Sequence, residues 1–267
     1  VHDFALTFRS PPADLAPWVL GLAERRDATS CDASHELPIP NAMLQFMLGG
    51  DYLIGQAPVP RAALWGPTSA ASRARTSAPA HVFMVMLSAL GAAALSRMEI
   101  AHLMDERLAM EDMGARWSGL DDRLAEAADF DERVLMATDH LRGVLHGQDH
   151  RPNAILAMAD SVTRHTLRAP VSAMADLAGM SPRGLNKAFI RSVGCGPKRL
   201  LRVARLQRVL RALHPSPWSP DAPHDPFLEY TDQAHLDRDF LDLTGLTRSS
   251  YVATKRERRD RLVHTVV

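Results

Sequence analysis

The chain has 267 residues, 46% of them hydrophobic and 23% charged, with 31 basic and 31 acidic side chains cancelling to a net charge of zero. That length and apolar content permit two domains with full cores, and two cysteines, Cys31 and Cys195, are too few and too distant for a disulfide framework or a zinc module. The neutral total hides a division: Val1 to His150 carries 12 basic against 20 acidic residues, a net of −8, whereas Arg151 to Val267 carries 19 against 11, a net of +8. An acidic half and a basic half suggest separate jobs, with the basic half meeting a polyanion.

The amino terminus, VHDFALTFRS, lacks a cationic segment followed by a long apolar one, so no signal peptide is read there and a cytoplasmic location is expected. Phe4 to Phe8 alternates weakly as a strand, and Asp14 to Glu24 reads as another strand or a short helix. His35 to Gly50 is an extended, proline-bounded stretch followed by an alternating apolar run that ends at Gly49-Gly50. With Tyr52-Leu53-Ile54 after it, the pattern is that of a hairpin. Ala62 to Gly66 and His81 to Leu87 add two more strands. The longest apolar run, Val82 to Leu95, falls short of the ~20 residues that span a bilayer and reads as a buried strand leading into a helix. Short strands with turn signals between them predict a β-rich region over residues 1–88, a small barrel or jelly roll.

After Leu87 the periodicity becomes helical: Ala89 to Ser96, Glu99 to Met110, Gly119 to Ala128 and Phe130 to His146, with Asp121 and Asp129 as N-cap candidates. Residues 1–150 are therefore expected to form one domain, β-rich over 1–88 and helical over 89–148, suited to sensing or dimerisation. Its methionines, many between Met43 and Met113, either fill a core or line an adaptable pocket. A short linker is expected near Gly147 to Arg151, followed by a helix from Asn153 to Arg168.

From Val171 to Leu200 the chain reads as two helices around a tight turn. Val171, Met174, Ala175, Leu177 and Ala178 recur at helical spacing, and Gly179 stops the helix. Ser181-Pro182 restarts it, the hydroxyl as N-cap and the proline where no amide hydrogen is needed. In the second helix Leu185, Ala188 and Phe189 point inward, while Arg183, Gly184, Asn186, Lys187 and Arg191 point away. This is helix-turn-helix geometry over residues 171–193, with cations for phosphates and forked or amide groups for base edges. An ordinary helical hairpin with a solvated charged face has the same pattern. A linker helix follows over 197–213, in which Lys198, Arg199, Arg202, Arg205, Arg208 and Arg211 interleave with leucines and no acid occurs. Glu229 to Val252 repeats the earlier logic, with Leu236, Phe240 and Leu243 as a stripe and Gly245 as the stop.

The Gly-Met-Ser-Pro-Arg-x-Leu-x-Lys-x-Phe run, the Gly194-x-x-Pro-Lys step, Arg205 to Gln207 and the Tyr-x-Asp-Gln-Ala-His-x-x-Arg-Asp-Phe run resemble AraC/XylS-type transcription regulators over roughly Val171 to Val252. The run from Leu90 to Met113, LGAAALSRMEIAHLMDERLAMEDM, with Leu120 to Leu124 and Asp131-Glu132-Arg133-Val134 downstream, resembles the amino-terminal region of a subgroup of these regulators. Together the resemblances imply an α+β chain: a β-rich, cupin-like amino-terminal domain with helices, then an all-α domain at 151–267 with two helix-turn-helix units joined by one long helix, the second at 218–244. It implies double-stranded DNA as partner, a small-molecule effector or a homodimer as additional partners, no cofactor and no membrane. The family's base-reading positions fall on Arg183, Asn186 and Lys187 in the first unit and on Gln233, Ala234, Asp237 and Arg238 in the second. Arg191, Lys198, Arg199 and Arg202 would lie near phosphates. The chain departs from the family at Glu229, where glycine is usual, at Arg248, where proline is usual, and in the five prolines from Pro215 to Pro226, each costing about 3 kcal/mol inside a helix. With Asp232, Asp237, Asp239 and Asp242 on its reading helix, the second unit is expected to contribute less to DNA binding than the first.

No nucleophile elbow, phosphate loop, Cys-x-x-Cys or His-Glu-x-x-His run is present, so no catalytic residues are assigned. Two other readings stay open. One is a cupin-like metal-dependent enzyme with His35 or His81 as ligand, although no closely spaced histidine pair supports it. The other is a protein-interaction module carrying a degenerate helix-turn-helix.

Overall fold

The computed structural model describes residues 4–96, 100–148, 153–213, 226–257 and 261–263. Ten strands come from the first half: β1 (Phe4–Arg9), β2 (Val19–Asp27), β3 (Cys31–Glu36), β4 (Met43–Gly49), β5 (Leu53–Ile54), β6 (Ala57–Pro58), β7 (Ala62–Trp65), β8 (Ser72–Thr76), β9 (His81–Leu87) and β10 (Arg107–Ala109). They form two facing sheets rather than a closed barrel. The larger has the order β1-β2-β9-β4-β7-β10 and the smaller runs β3-β8-β5-β6, with β3 also taking a parallel strand, β11 (Arg261–Val263), from the end of the chain.

The larger sheet is covered on both faces. Val82, Met84 and Met86 of β9 pack toward the smaller sheet with Met43, Met47, Tyr52 and Trp65. Phe83, Val85 and Leu87 pack the other way, onto helices α1 (Ala89–Ser96), α2 (Leu120–Glu126) and α3 (Phe130–Leu145). This explains why β4 and β9 read as nearly unbroken apolar runs instead of alternating with polar residues. These methionines are core residues between the sheets.

Several expected boundaries move, each for a local reason. The helix expected from Glu99 to Met110 is instead a 3-10 turn at Ile100–Leu103 followed by β10, because Leu108 pairs with Leu64 at the sheet edge and Asp105 takes a positive φ of 61°. Asp129 caps α3 by accepting from Glu132 N–H, and Glu132 Oε2 reaches back to Ala128 N–H. Asp121 lies within α2, whose cap position is Gly119 at φ 72°.

The second half is helical: α4 (Ala154–Thr163), α5 (Val171–Leu177), α6 (Pro182–Val193), α7 (Pro197–Leu213), α8 (Gln233–Thr244) and α9 (Arg248–Glu257). The helix expected to run to Arg168 stops at Thr163, and His165 turns left-handed at φ 63°. The proline-rich stretch from Pro215 to Pro223, where the second unit was expected to begin, lies outside the described residues. One core forms where α4, α5, α6 and the start of α7 meet, around Val162, Met174, Leu185 and Phe189. Another forms where α7, α8 and α9 meet, around Leu206, Leu210, Phe240 and Tyr251.

The halves are joined by specific bonds. Asp160 of α4 accepts from Ala89 N–H and so caps α1 (2.6 Å), and Arg164 donates to Ala16 O (3.0 Å). Gln207 of α7 donates to Pro38 O (2.6 Å), Ala71 N–H donates to Leu243 O (2.8 Å), and Leu37 is buried inside the core of the second unit. At the end of α6, Gly194 has φ 90°, and a Cβ there would lie 2.9 Å from Ile100 O. A Gly194→Ala variant meets both the positive-φ penalty and this backbone wall, so its thermal midpoint is expected to fall, with a cost above ~1 kcal/mol in chemical denaturation.

Candidate nucleic-acid interface

The first helix-turn-helix is built by local signals that agree with one another. α5 buries Met174 and Ala175, Ala178 ends it, and Gly179 at φ 63° makes the turn while Met180 N–H closes back on Ala175 O. Ser181 then caps α6 by accepting from Gly184 N–H (3.1 Å), with Pro182 in the first helical position. Leu177 is 71% exposed, contrary to its expected place in the inward stripe. The inward row is Met174 and Ala175, flanked by half-buried Val171 and Ala178, and position 177 falls off it by about one residue's 100° turn.

On α6, Leu185, Ala188, Phe189 and Val193 are sealed in the core. Arg183, Asn186, Lys187 and Arg191 stand on the exposed face, joined by exposed Lys198 at the start of α7. Among the described residues none of these four cations has an ion-pair partner. Asn186 leans back toward Gly196, where an added Cβ would lie 2.4 Å from its Oδ1 and would displace the amide. An exposed cationic strip beside the solvent-facing start of α6 offers favourable sites for phosphate oxygens.

Four further α7 cations, Arg199, Arg202, Arg205 and Arg208, face partners within the protein. Arg199 donates to Ser69 O (2.5 Å) in the β domain, and Arg202 donates through Nε to Asp239 Oδ1 (2.9 Å) and through Nη2 to Asp242 Oδ2 (2.6 Å). In this arrangement Arg199 Nη2 and the Nε and Nη2 donors of Arg202 face protein oxygens, so these two cations, expected near phosphates, have only their other donors left for them. Arg205 donates to Glu229 O and lies 4.9 Å above the Tyr230 ring. Arg208 is buried and binds both Glu229 and His165. Because a guanidinium can only donate, His165 Nδ1 must be the acceptor and the ring neutral. Burial, with Arg211, Arg208 and Arg168 nearby, holds the His165 pKa down to about 3.

The second unit looks different. α8 is capped by Asp232, which accepts from His235 N–H (2.7 Å), and ends at Gly245 with φ 69°. Asp237 pairs with Arg248 (2.6 Å), which holds its carboxyl below the usual carboxylate range, and it also bonds the Gln233 side chain. Each acid of α8 and its cap therefore has a structural partner, and all four expected readers, Gln233, Ala234, Asp237 and Arg238, are exposed, Asp237 while paired with Arg248. The Asp237–Arg248 and Arg202–Asp239–Asp242 pairings were missed in the sequence, where acids at 237, 239 and 242 and a basic residue at 248 were the available signal.

The β domain holds a second polar cluster that the strand pattern did not single out. Arg25 of β2 pairs with Asp27 (3.5 Å) and lies over Tyr52, Arg107 lies 4.3 Å above the Trp65 ring, and Glu36 Oε1 is sealed from solvent without a hydrogen-bond partner. Burial pushes the Glu36 pKa up to about 7, against the pull of Arg25 and Arg107 and with Asp27 adding to the rise. The Arg25-Arg26-Asp27 run lies beyond the Asp14 to Glu24 segment expected from the sequence, and the structure includes it in β2. Among the described residues no group of three or more His, Cys, Asp or Glu is placed to hold a metal, and no helix is long and apolar enough to cross a membrane.

No protein-family model matches the chain, and no curated protein does. Among solved structures, the chain is similar to ToxT from Vibrio cholerae at 12% identity and a TM-score of 0.46, over 94% of this chain and 98% of that one. It is similar to ToxT of Vibrio cholerae strain SCE256 with an unsaturated fatty acid bound, at 9% identity and 0.43, over 93% and 94%. It is also similar to the AraC-like transcriptional activator CuxR, at 13% identity and 0.30, over 79% and 95%.

The joint made by Arg202 gives a direct test. Arg202→Ala leaves the buried Asp239 carboxylate unpaired, so unfolding of the second unit in urea is expected to be easier by about 1–3 kcal/mol.

Proposed function

We propose that this chain is an AraC-type transcriptional regulator that binds double-stranded DNA in a sequence-specific way, mainly through its first helix-turn-helix. The observation that carries the reading is the state of α6: one face sealed in a core by Leu185, Phe189 and Val193, the other bearing Arg183, Asn186, Lys187 and Arg191 in solvent with no ion-pair partner among the described residues. A structural hairpin has no need of an unpaired cationic face beside a well-capped helix start. The AraC/XylS motifs quoted above lie on α6, α7 and α8, and on α8 Gln233 and Arg238 are the exposed candidates for a lesser contribution.

In this reading Arg183, Asn186 and Lys187 contact base edges, while Arg191 and Lys198 lie along phosphates. Arg199 and Arg202 serve the fold. The amino-terminal half controls the DNA-binding half, with a small molecule or a second copy of the chain as its input, and the protein acts in the cytoplasm. It performs no catalysis.

Selection of bound fragments from random DNA tests the reading: a recovered motif whose strongest positions span one groove supports it, and recovery of no motif overturns it. At the selected site Lys187→Ala is expected to weaken binding by about 1–3 kcal/mol while leaving non-specific DNA binding nearly unchanged. Lys198→Ala is expected to weaken all sequences alike and to lower the slope of log affinity against log salt by about one.

A further inference from the structure

We propose that Ile190 and Leu241 are apolar base readers, each placed to receive the C5-methyl group of a thymine in the major groove of double-stranded DNA. The two helices that carry them are built in one register. α6 lies between the Ser181 cap and Gly194, and α8 between the Asp232 cap and Gly245; each has 12 helical residues, and both glycines are left-handed. From Ser181 to Ile190 and from Asp232 to Leu241, exposed, half-buried and buried residues follow the same order. Leu185 thus corresponds to Leu236, Phe189 to Phe240 and Lys187 to Arg238, and Ile190 and Leu241 occupy the same position, two residues beyond which the apolar core face resumes. Both are exposed, Ile190 at 42% and Leu241 at 50%, and neither belongs to a hydrophobic core or packs against one among the described residues. A single exposed aliphatic side chain is ordinary on a protein surface. One at the same place in both units, with no use inside the chain, points to a shared outside partner.

The surroundings select that partner. Positions three, four and seven residues earlier hold Lys187, Asn186 and Arg183 on α6 and Arg238, Asp237 and Ala234 on α8, so each aliphatic side chain continues the exposed row of expected base readers. Arg183 and Ile190 are about 10 Å apart in helix rise, or about three base-pair steps, a span that one helix in one groove can read. Ile190 is flanked by Arg183, Lys187 and Arg191, exposed and without ion-pair partners among the described residues. On α8, Arg238 is exposed while the charge of Asp237 is held by Arg248. An apolar groove on a partner protein would have to cover these cations without counter-charges. A duplex supplies the counter-charges along its backbone and, on the base edges of its major groove, one apolar group, the thymine methyl.

This inference rests on the regulator reading and names the base chemistry that its two recognition helices share. The test uses the full chain and the fragment it selects from random DNA. Each thymine of that fragment is replaced in turn by deoxyuridine, which removes the methyl group and keeps the base pair. Two thymines are expected to respond, each replacement weakening wild-type binding about fourfold, the effect of losing one buried methyl group. One of them is expected to lie within about three base pairs of the position whose preference Arg183→Ala relaxes. In Ile190→Ala that response is expected to vanish while the other persists, and in Leu241→Ala the reverse. Both variants are expected to keep the wild-type thermal midpoint, since neither side chain serves a core. The fourfold ratios are expected to stay constant as salt is raised, because a methyl contact releases no counterions.

A fragment in which no thymine responds overturns the proposal, and a variant that keeps every wild-type response overturns the role assigned to its residue. Selection that recovers no motif overturns the regulator reading together with this one, so failure of the methyl contact alone is recognisable by a motif that persists without it.

Discussion

Everything in the carboxy-terminal half depends on one electrostatic constraint: α7 has six cations and no acid of its own, yet it must sit at the centre of three packed bodies. Each guanidinium brought toward the interior needs an oxygen from somewhere else, because a buried charge without a partner costs more than packing returns. The supply comes from every neighbour. Ser69 O of the β domain takes Arg199, Asp239 and Asp242 of α8 take Arg202, and Glu229, through its backbone and side chain, takes Arg205 and Arg208. Lys198, at the exposed end, is outside this system.

Two departures from the AraC/XylS pattern acquire a physical reason from this constraint. Glu229 stands where glycine is usual and supplies the carboxylate that Arg208 binds, with Arg168 4.0 Å from its other oxygen. Arg248 stands where proline is usual and neutralises Asp237. The acids of α8, which in the sequence look like an obstacle to phosphate, are largely the counter-charges of the scaffold. Among the described residues, cations without an ion-pair partner are left at Arg183, Lys187 and Arg191 on α6, at Lys198 on the start of α7, and at Arg238 on α8.

What the sequence made legible was whatever is decided within a few residues. The Gly179 stop, the Ser181-Pro182 start, the α6 stripe and the Asp129 cap depend on neighbours at one to four positions' distance, and they stand where periodicity and capping chemistry place them. Long-range partners were not legible. A segment with helical spacing, Glu99 to Met110, becomes partly a strand because β7 offers it an open edge. Arg202 was read as a phosphate ligand because nothing in its own helix shows that Asp239 and Asp242, some forty residues away, will meet it. The β-rich region was legible as a class, whereas its two-sheet arrangement with one sheet covered on both faces was not, since an apolar run looks the same against a helix as against another sheet.

The cap that Asp160 places on α1 bears on how such a chain can diversify. A helix of the amino-terminal half has its first amide satisfied by the carboxy-terminal half, and Leu37 of the amino-terminal half completes the core of the carboxy-terminal half. Neither portion carries the full complement of groups that its own elements require. Recombination that exchanges one portion for a relative's would strand a donor at Ala89 and open a hole among Val203, Leu206 and Phe240 unless residues on both sides of the seam were exchanged together. Along this seam, inheritance is expected to act on matched pairs of residues and not on interchangeable modules.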